Sequence, residues 1–177
     1  MSDAPQRFAC LDAAYGPASA HAACVLFDGW RADKPARTLT ASLDALAPYE
    51  PGALYKRELP VLLATLAQIG EPLEAIIVDG YVWLGGENQP GLGGHLRAAL
   101  AGPTPVIGIA KTPYRDDDWS VRVLRGASGR PLYLTAAGID PHIAATGLSA
   151  MHGEGRIPTM LRLADRMARE LAAEMSR

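Results

Sequence analysis

The chain has 177 residues, a length that suits one domain with a sizeable core, and its 49% apolar and 20% charged residues are ordinary globular composition. The formal charge of −2 excludes a global basic field, so nucleic-acid binding would have to come from a local patch. No signal peptide opens the chain and no apolar run approaches the ~18 residues needed to span a membrane, so a soluble, cytoplasmic monomer is expected. Cys10 and Cys24 sit in apolar runs with no second pair and no metal-ligand spacing. They read as buried thiols in a reducing compartment.

In chain order, Met1 to Gln6 reads as a loose leader. Phe8 to Ala14 is a strand interrupted by one acid, Asp12. Tyr15-Gly16-Pro17 makes a turn into a returning strand, His21 to Trp30, with Ala36 to Thr40 as a third. Leu43 to Gly52 carries Pro48 and Pro51 and is a loop. Ala53 to Ile69 has the broad apolar face of a helix, and Pro60 either delays its start to Leu59 or kinks its first turns. Ala75 to Val78 is a short, β-branched apolar run ending in Asp79-Gly80, the pattern of a strand buried on both faces at the centre of a sheet. A glycine-rich loop, Gly80 to Gly94, precedes a helix over Leu92 to Leu100. Another buried strand, Pro105 to Ala110, ends at Lys111. Asp116-Asp117-Asp118 reads as a solvated turn in preference to a metal site. Val121 to Leu124 and Pro131 to Thr135 bracket Gly126 to Gly129 as a hairpin, and Pro141 to Ala150 and Thr159 to Ser176 are helical. Strands first paired as a meander and then alternating with helices imply an α/β domain with a mixed sheet. No internal repeat or interdomain linker divides it, so residues 1–177 form a single domain.

The acids carry the chemistry. Asp79 stands at the carboxyl end of a central strand, where open α/β sheets place their ligand sites, although an Asp there can equally cap the next loop. Asp12, in the middle of an apolar strand, is costly unless paired, metal-bound or protonated. With Glu58 at a helix start and Asp165 on the closing helix, these acids would make a cage of hard oxygen ligands suited to magnesium or manganese. Lys111 could neutralise a scissile phosphate or simply pair with one of the carboxylates. On the closing helix Arg162, Arg166 and Arg169 recur at helical spacing.

The order of strand acid, helix Glu, strand-end Asp and late helical acid resembles the ribonuclease H-like nucleases, and the local motifs resemble the endonuclease V family. These motifs are Leu11-Asp12-Ala13-Ala14-Tyr15; Pro48-Tyr49-Glu50-Pro51-Gly52 leading to Arg57-Glu58-Leu59-Pro60; Ile77-Val78-Asp79-Gly80; Ile107-Gly108-Ile109-Ala110-Lys111; and Arg156-Ile157-Pro158 followed by Arg162-Leu163-Ala164-Asp165. The resemblance implies a ribonuclease H-like fold. It also implies a divalent cation held by Asp12, Glu58, Asp79 and Asp165, the last at a position that is often a histidine in the family. Mg2+ is the implied cofactor, with Mn2+ as a substitute. Catalysis would rest on Asp12, Glu58, Asp79 and Lys111. Nucleic-acid contacts would come from Pro48, Tyr49 and Pro51, the wedge beside a deaminated base, and from Gly80, Val82 and Arg156. The implied reaction is hydrolysis of the second phosphodiester 3′ to an inosine in DNA, with RNA an open possibility.

One stretch departs from the family pattern. Val82 stands where a small residue lining the base pocket is expected, and a His-Pro-Arg segment is missing before Gly91-Leu92-Gly93-Gly94-His95. If Val82 lines that pocket, its isopropyl group hinders a purine, and the preference for inosine should be weak. The rivals are a related metal-dependent nuclease with another lesion or structural specificity, and a binder of distorted nucleic acid that does not cut.

Overall fold

The computed structural model describes residues 5–44, 46–85 and 89–177. The leader and the middle of the glycine-rich loop therefore fall largely outside the described residues. Seven strands form one mixed sheet: β1 (Arg7–Tyr15), β2 (Ala20–Asp28), β3 (Arg37–Leu43), β4 (Ala75–Asp79), β5 (Val106–Ala110), β6 (Val121–Val123) and β7 (Leu132–Ala137). Their order across the sheet is β3-β2-β1-β4-β5-β7-β6. The meander β1–β2–β3 and the β7–β6 hairpin are antiparallel, and β5 runs antiparallel to β7. β1, β4 and β5 are mutually parallel, giving the mixed sheet expected from the sequence.

Helices cover both faces. On one, α3 (Pro141–Ala150) and α4 (Thr159–Met175) bury Ala144, Leu148, Met160 and Ala164 against Cys10, Ile77 and Ile107. On the other, α1 (Tyr55–Leu66) and α2 (Leu92–Ala99) bury Val61, Leu62 and Leu96 against Leu11, Ile76 and Val78. The strict alternation of these two sets along β1 and β4 is the two-residue period of a strand packed on both sides. Both cysteines are buried and unpaired. No helix among the described residues is long and apolar enough to cross a membrane.

Pro60 neither starts nor ends α1; it lies inside the helix. The ring removes one N–H from the ladder, and the buried pair Val61 and Leu62 immediately after it holds the helix on the sheet. Asp117 is a clearer departure from expectation. The middle acid of the Asp116–Asp118 run is 5% exposed, not solvated. It accepts hydrogen bonds from the Tyr81 hydroxyl at 2.6 Å, the Ser120 hydroxyl at 2.6 Å and two backbone N–H groups, enough to satisfy a carboxylate in the interior.

Candidate active site

Strand parity sets where the acids point. The β1–β4 register pairs Leu11 with Val78, so the next step brings Asp12 beside Asp79, one strand spacing apart. Both share the parity of Cys10 and Ile77 and therefore lean to the α4 face. There Asp165 arrives from the second turn of α4, and the three carboxylates line one small depression together with Lys111 and Arg162. Glu58 comes from the opposite layer, in the first turn of α1. It meets Asp79 over the sheet edge, where both line a groove of about 860 Å³.

This end of the sheet carries more acid than base. Lys111, just past β5, places Nζ 2.7 Å from Asp79 Oδ2, and Arg169 reaches Asp165 at 2.9 Å. No ion pair among the described residues reaches Asp12 or Glu58. Burial, followed by the charge of Asp79 and then that of Asp165, lifts the Asp12 carboxyl from 3.8 to about 7, even though the Ala13 N–H donates to it at 2.8 Å. Burial and then Asp79 also raise Glu58, which is partly offset by Tyr15 lying against it. The Tyr15 hydroxyl itself is buried and has no hydrogen-bond partner among the described residues.

The acids approach in pairs, and among the described residues no group of three His, Cys, Asp or Glu side chains is arranged to hold a metal ion. Lys111 and Arg169 stand where the positive charge of a cation would otherwise fall. The donor set still fits a hard divalent cation. It consists of carboxylate oxygens alone, held on a strand pair, the first turn of α1 and the second turn of α4, with an acid surplus that a cation would relieve.

The backbone after Asp79 is fixed by two glycines. Gly80 has φ +121°, a conformation unfavourable for other residues, and Gly108 on β5 leaves room for the turn: a Cβ there would lie 2.5 Å from the Gly80 carbonyl oxygen. Val82 then turns inward. It is fully buried against Val78 and Gly93, and its N–H donates to the Thr135 hydroxyl at 2.8 Å. The expectation that Val82 lines a base pocket is therefore corrected: its isopropyl group is core, and the steric case against inosine built on it lapses. Gly80, Tyr81, Leu84, Leu92, Tyr55 and Tyr114 make the groove instead. Of these, Leu84 and Tyr114 had no sequence signal, because contacts from distant strands decide how their loops run.

Arg156 is partly exposed, and its guanidinium donates to the carbonyls of Lys111, Pro131 (2.7 Å) and Arg130 (3.0 Å), so it ties the end of β5 to β7 and positions Lys111 while keeping its charge. Pro48, Tyr49 and Pro51 are exposed on the loop before α1, with Tyr49 67% exposed. Arg57 stiffens that loop. It donates to the Ala47 carbonyl at 3.0 Å and packs over the rings of both Tyr49 and Tyr15, 5.6 and 5.9 Å from their centroids.

Over residues 1–136 the sequence matches the model of the endonuclease V family. The chain belongs to that family. Endonuclease V of Thermus thermophilus is 31% identical, over 89% of this chain and 76% of its own, and that of Streptomyces avermitilis 33% identical over 86% and 74%. The solved structure of the Streptomyces avermitilis endonuclease V superposes with a TM-score of 0.78 over 98% of this chain and 85% of that one, at 28% identity. A Ciona intestinalis endonuclease V, 16% identical, shares the fold with a TM-score of 0.80 over 97% of this chain and 87% of that one. Family membership makes the chain a nuclease, and the ribonuclease H-like reading of the sheet and its helices agrees with these structures.

Proposed function

We propose that the protein is a divalent-cation-dependent endonuclease that cuts DNA on the 3′ side of a deaminated base, inosine being the expected lesion. The observation that carries this reading is the acid surplus at the carboxyl edge of β1 and β4: two strand carboxylates side by side, one helix acid from each layer, and Lys111 on Asp79. Binding alone needs no such cluster facing a phosphate. The Ciona intestinalis relative was solved with a DNA containing an inosine followed by a ribo-adenosine, which supports DNA bearing a deaminated base as the substrate class.

Asp12, Glu58, Asp79 and Asp165 would hold the cation, magnesium or in its place manganese, which would supply a more acidic water and stabilise charge at the scissile phosphate. Lys111, held by its pair with Asp79, is free to swing its ammonium onto a phosphate oxygen. Tyr49, exposed on a loop braced by Arg57, can fill the gap left by an extruded base and stack on its neighbour, worth ~1–3 kcal/mol per base. The groove beside Asp79 and Glu58, lined by Tyr114 and by Tyr55 stacked on His95, is where the extruded base would lie.

The test is an end-labelled duplex with one inosine beside its unmodified counterpart, incubated with magnesium, manganese or chelator. A single nick at the second phosphodiester 3′ to inosine, dependent on cation and weakened on duplex more than on single strand by Tyr49→Ala, is the expected result. Equal cutting of both duplexes would favour a nuclease of other specificity. Binding without cutting under every cation would favour a non-cleaving reader of distorted nucleic acid.

A further inference from the structure

The catalytic cavity does not end at Asp165. Arg162 lines it, and Arg162 also lines a second groove of about 870 Å³ with His152, Gly153, Glu154, Thr159 and Arg166. The two depressions thus share one arginine, and the second runs outward along α4. Arg162 lies three residues before Asp165 and four before Arg166, and Arg169 lies four after Asp165 and three after Arg166, so they neighbour one another along one side of the helix. Arg169 is occupied by Asp165. Arg162 has no carboxylate partner among the described residues and only a long contact, 3.4 Å, to the Ile157 carbonyl. Arg166 meets Glu170 only at 4.0 Å. Both are exposed, in a protein whose overall charge is slightly negative.

A second observation lies behind the groove wall. Arg125 is 6% exposed and has no carboxylate partner among the described residues. Its guanidinium instead donates to the carbonyls of Met151, Gly155 (2.9 Å), Arg156 (3.2 Å) and Gly153 (3.2 Å), and its Nε is buried without any partner. This pins the Met151–Arg156 loop, which forms one wall of the groove. It also leaves a buried positive charge next to Arg162: burial and then the Arg162 charge lower the Arg125 pKa. A buried cation is ordinarily compensated by an acid. Arg125 does not itself line the groove, but its charge behind the wall adds to the positive field that Arg162 presents there, which favours an anion in the groove. The carboxylate lining the groove, Glu154, is exposed and has no ion-pair partner among the described residues.

We infer that this groove is a phosphate track, in which Arg162 and Arg166 hold the sugar–phosphate backbone of the nucleic-acid strand after it has crossed the catalytic carboxylates. The inference rests on the nuclease reading above and extends it to a surface. Tyr49 and Arg57 belong to the α1 layer, and the track belongs to the α4 layer. The strand therefore crosses the carboxyl edge of the sheet from one helix layer to the other. Sequence would not be read in the track, because phosphate contacts position and do not specify.

The test measures binding of a fluorescent duplex, with and without inosine, in chelator across a salt series, so that no cleavage is involved. The Arg162→Ala/Arg166→Ala double variant should flatten the slope of log affinity against log salt by about 1.8, at about 0.9 for each phosphate released. At 0.1 M salt that corresponds to roughly ten- to a hundredfold weaker binding, equal for the two duplexes. Glu154→Gln should act in the opposite direction, tightening both by about two- to fivefold, the scale of one exposed charge interaction. A gain of that kind cannot come from misfolding, so it decides the matter even if the double variant proves unstable. An unchanged salt slope in a folded double variant, or no gain with Glu154→Gln, overturns the track while leaving the nuclease reading standing. Failure of the unaltered protein to bind either duplex overturns both.

Discussion

The two edges of the sheet treat charge in opposite ways. At the amino edge of β1, Arg7 pairs with Asp28 at 2.5 Å and Glu71 at 3.0 Å, and Arg37 joins Glu71 at 3.3 Å. Two cations meet two acids there, and Arg7 is held above its usual pKa chiefly by its hydrogen bond to Asp28. At the carboxyl edge the four acids Asp12, Glu58, Asp79 and Asp165 face three cations: Lys111 and Arg169 pair with Asp79 and Asp165, and Arg162 lines the cavity without a carboxylate partner among the described residues. The acids nearest the middle carry the surplus as raised pKa values. At the first edge the cations are matched by acids within ion-pair distance. The second stores repulsion that a ligand cation can relieve, and such stored repulsion is a mark of function.

The largest effect should come from breaking the unbalanced edge at its centre. Asp79→Ala removes the group that raises both Asp12 and Glu58 and that anchors Lys111. Cleavage should fall by at least roughly a thousandfold, the scale seen when a group acting in concert at a reacting centre is lost. The thermal midpoint in chelator should hold or rise, because one repulsive partly buried acid is gone and the exposed end of Lys111 is rehydrated at little cost. Cleavage close to that of the unaltered protein under saturating magnesium would remove Asp79 from the mechanism.

A smaller effect sharpens the comparison through pH. Asp12 has its folded pKa raised from 3.8 to about 7. A carboxyl whose pKa is raised on folding binds its proton more tightly in the folded state. Its contribution is fully present below about 3.8 and is lost as pH rises through about 7. In chelator the protein should therefore lose roughly 3 kcal/mol between pH 4.5 and 7.5, with Glu58 acting in the same direction. Asp12→Asn should flatten that slope, and so should saturating magnesium, which replaces the proton. Thermal midpoints across that pH range check it. A midpoint that climbs toward pH 7.5 in chelator would show that the edge is not overcharged with acid.

The acid edge was legible in the sequence; the ion pairs of the other edge were not, because Arg7, Asp28 and Glu71 meet only through strand register. β-branched residues ending in Asp79-Gly80, the lone acid in β1 and the order of motifs along the chain were enough to place Asp12 beside Asp79 at one sheet edge and to bring Glu58 and Asp165 to it. What sequence missed depends on partners remote along the chain. Val82 is core because Thr135, on β7, takes its N–H and Gly93 leaves space for its side chain. Asp117 is buried because Tyr81 reaches it from another loop. Arg156 and Arg125 spend their donors on carbonyls that only the folded loops assemble. Periodicity reports which face of an element is buried. It carries no information on which loop a guanidinium will clamp.

The smallest effect belongs to the balanced edge and tests whether the two edges are independent. Arg7 is 21% exposed at its side chain and holds two acids, so Arg7→Ala leaves Asp28 unpaired and Glu71 with Arg37 alone. Partly exposed ion pairs are each worth up to about 1 kcal/mol, so a loss of about 1 kcal/mol is expected, lowering the thermal midpoint by about 2–4 °C in a chain of this size. High salt should shrink that difference by screening the pairs. Cleavage rate and the pH dependence of stability should both stay as they are. Arg7 and Asp12 are five residues apart along β1, about 17 Å, roughly twice the screening length at physiological salt. Parallel measurements of thermal midpoint and cleavage rate on Arg7→Ala decide it. If cleavage fell in step with stability, the charge on the two edges would be coupled through the sheet, and the acid surplus could no longer be treated as a local property of the site.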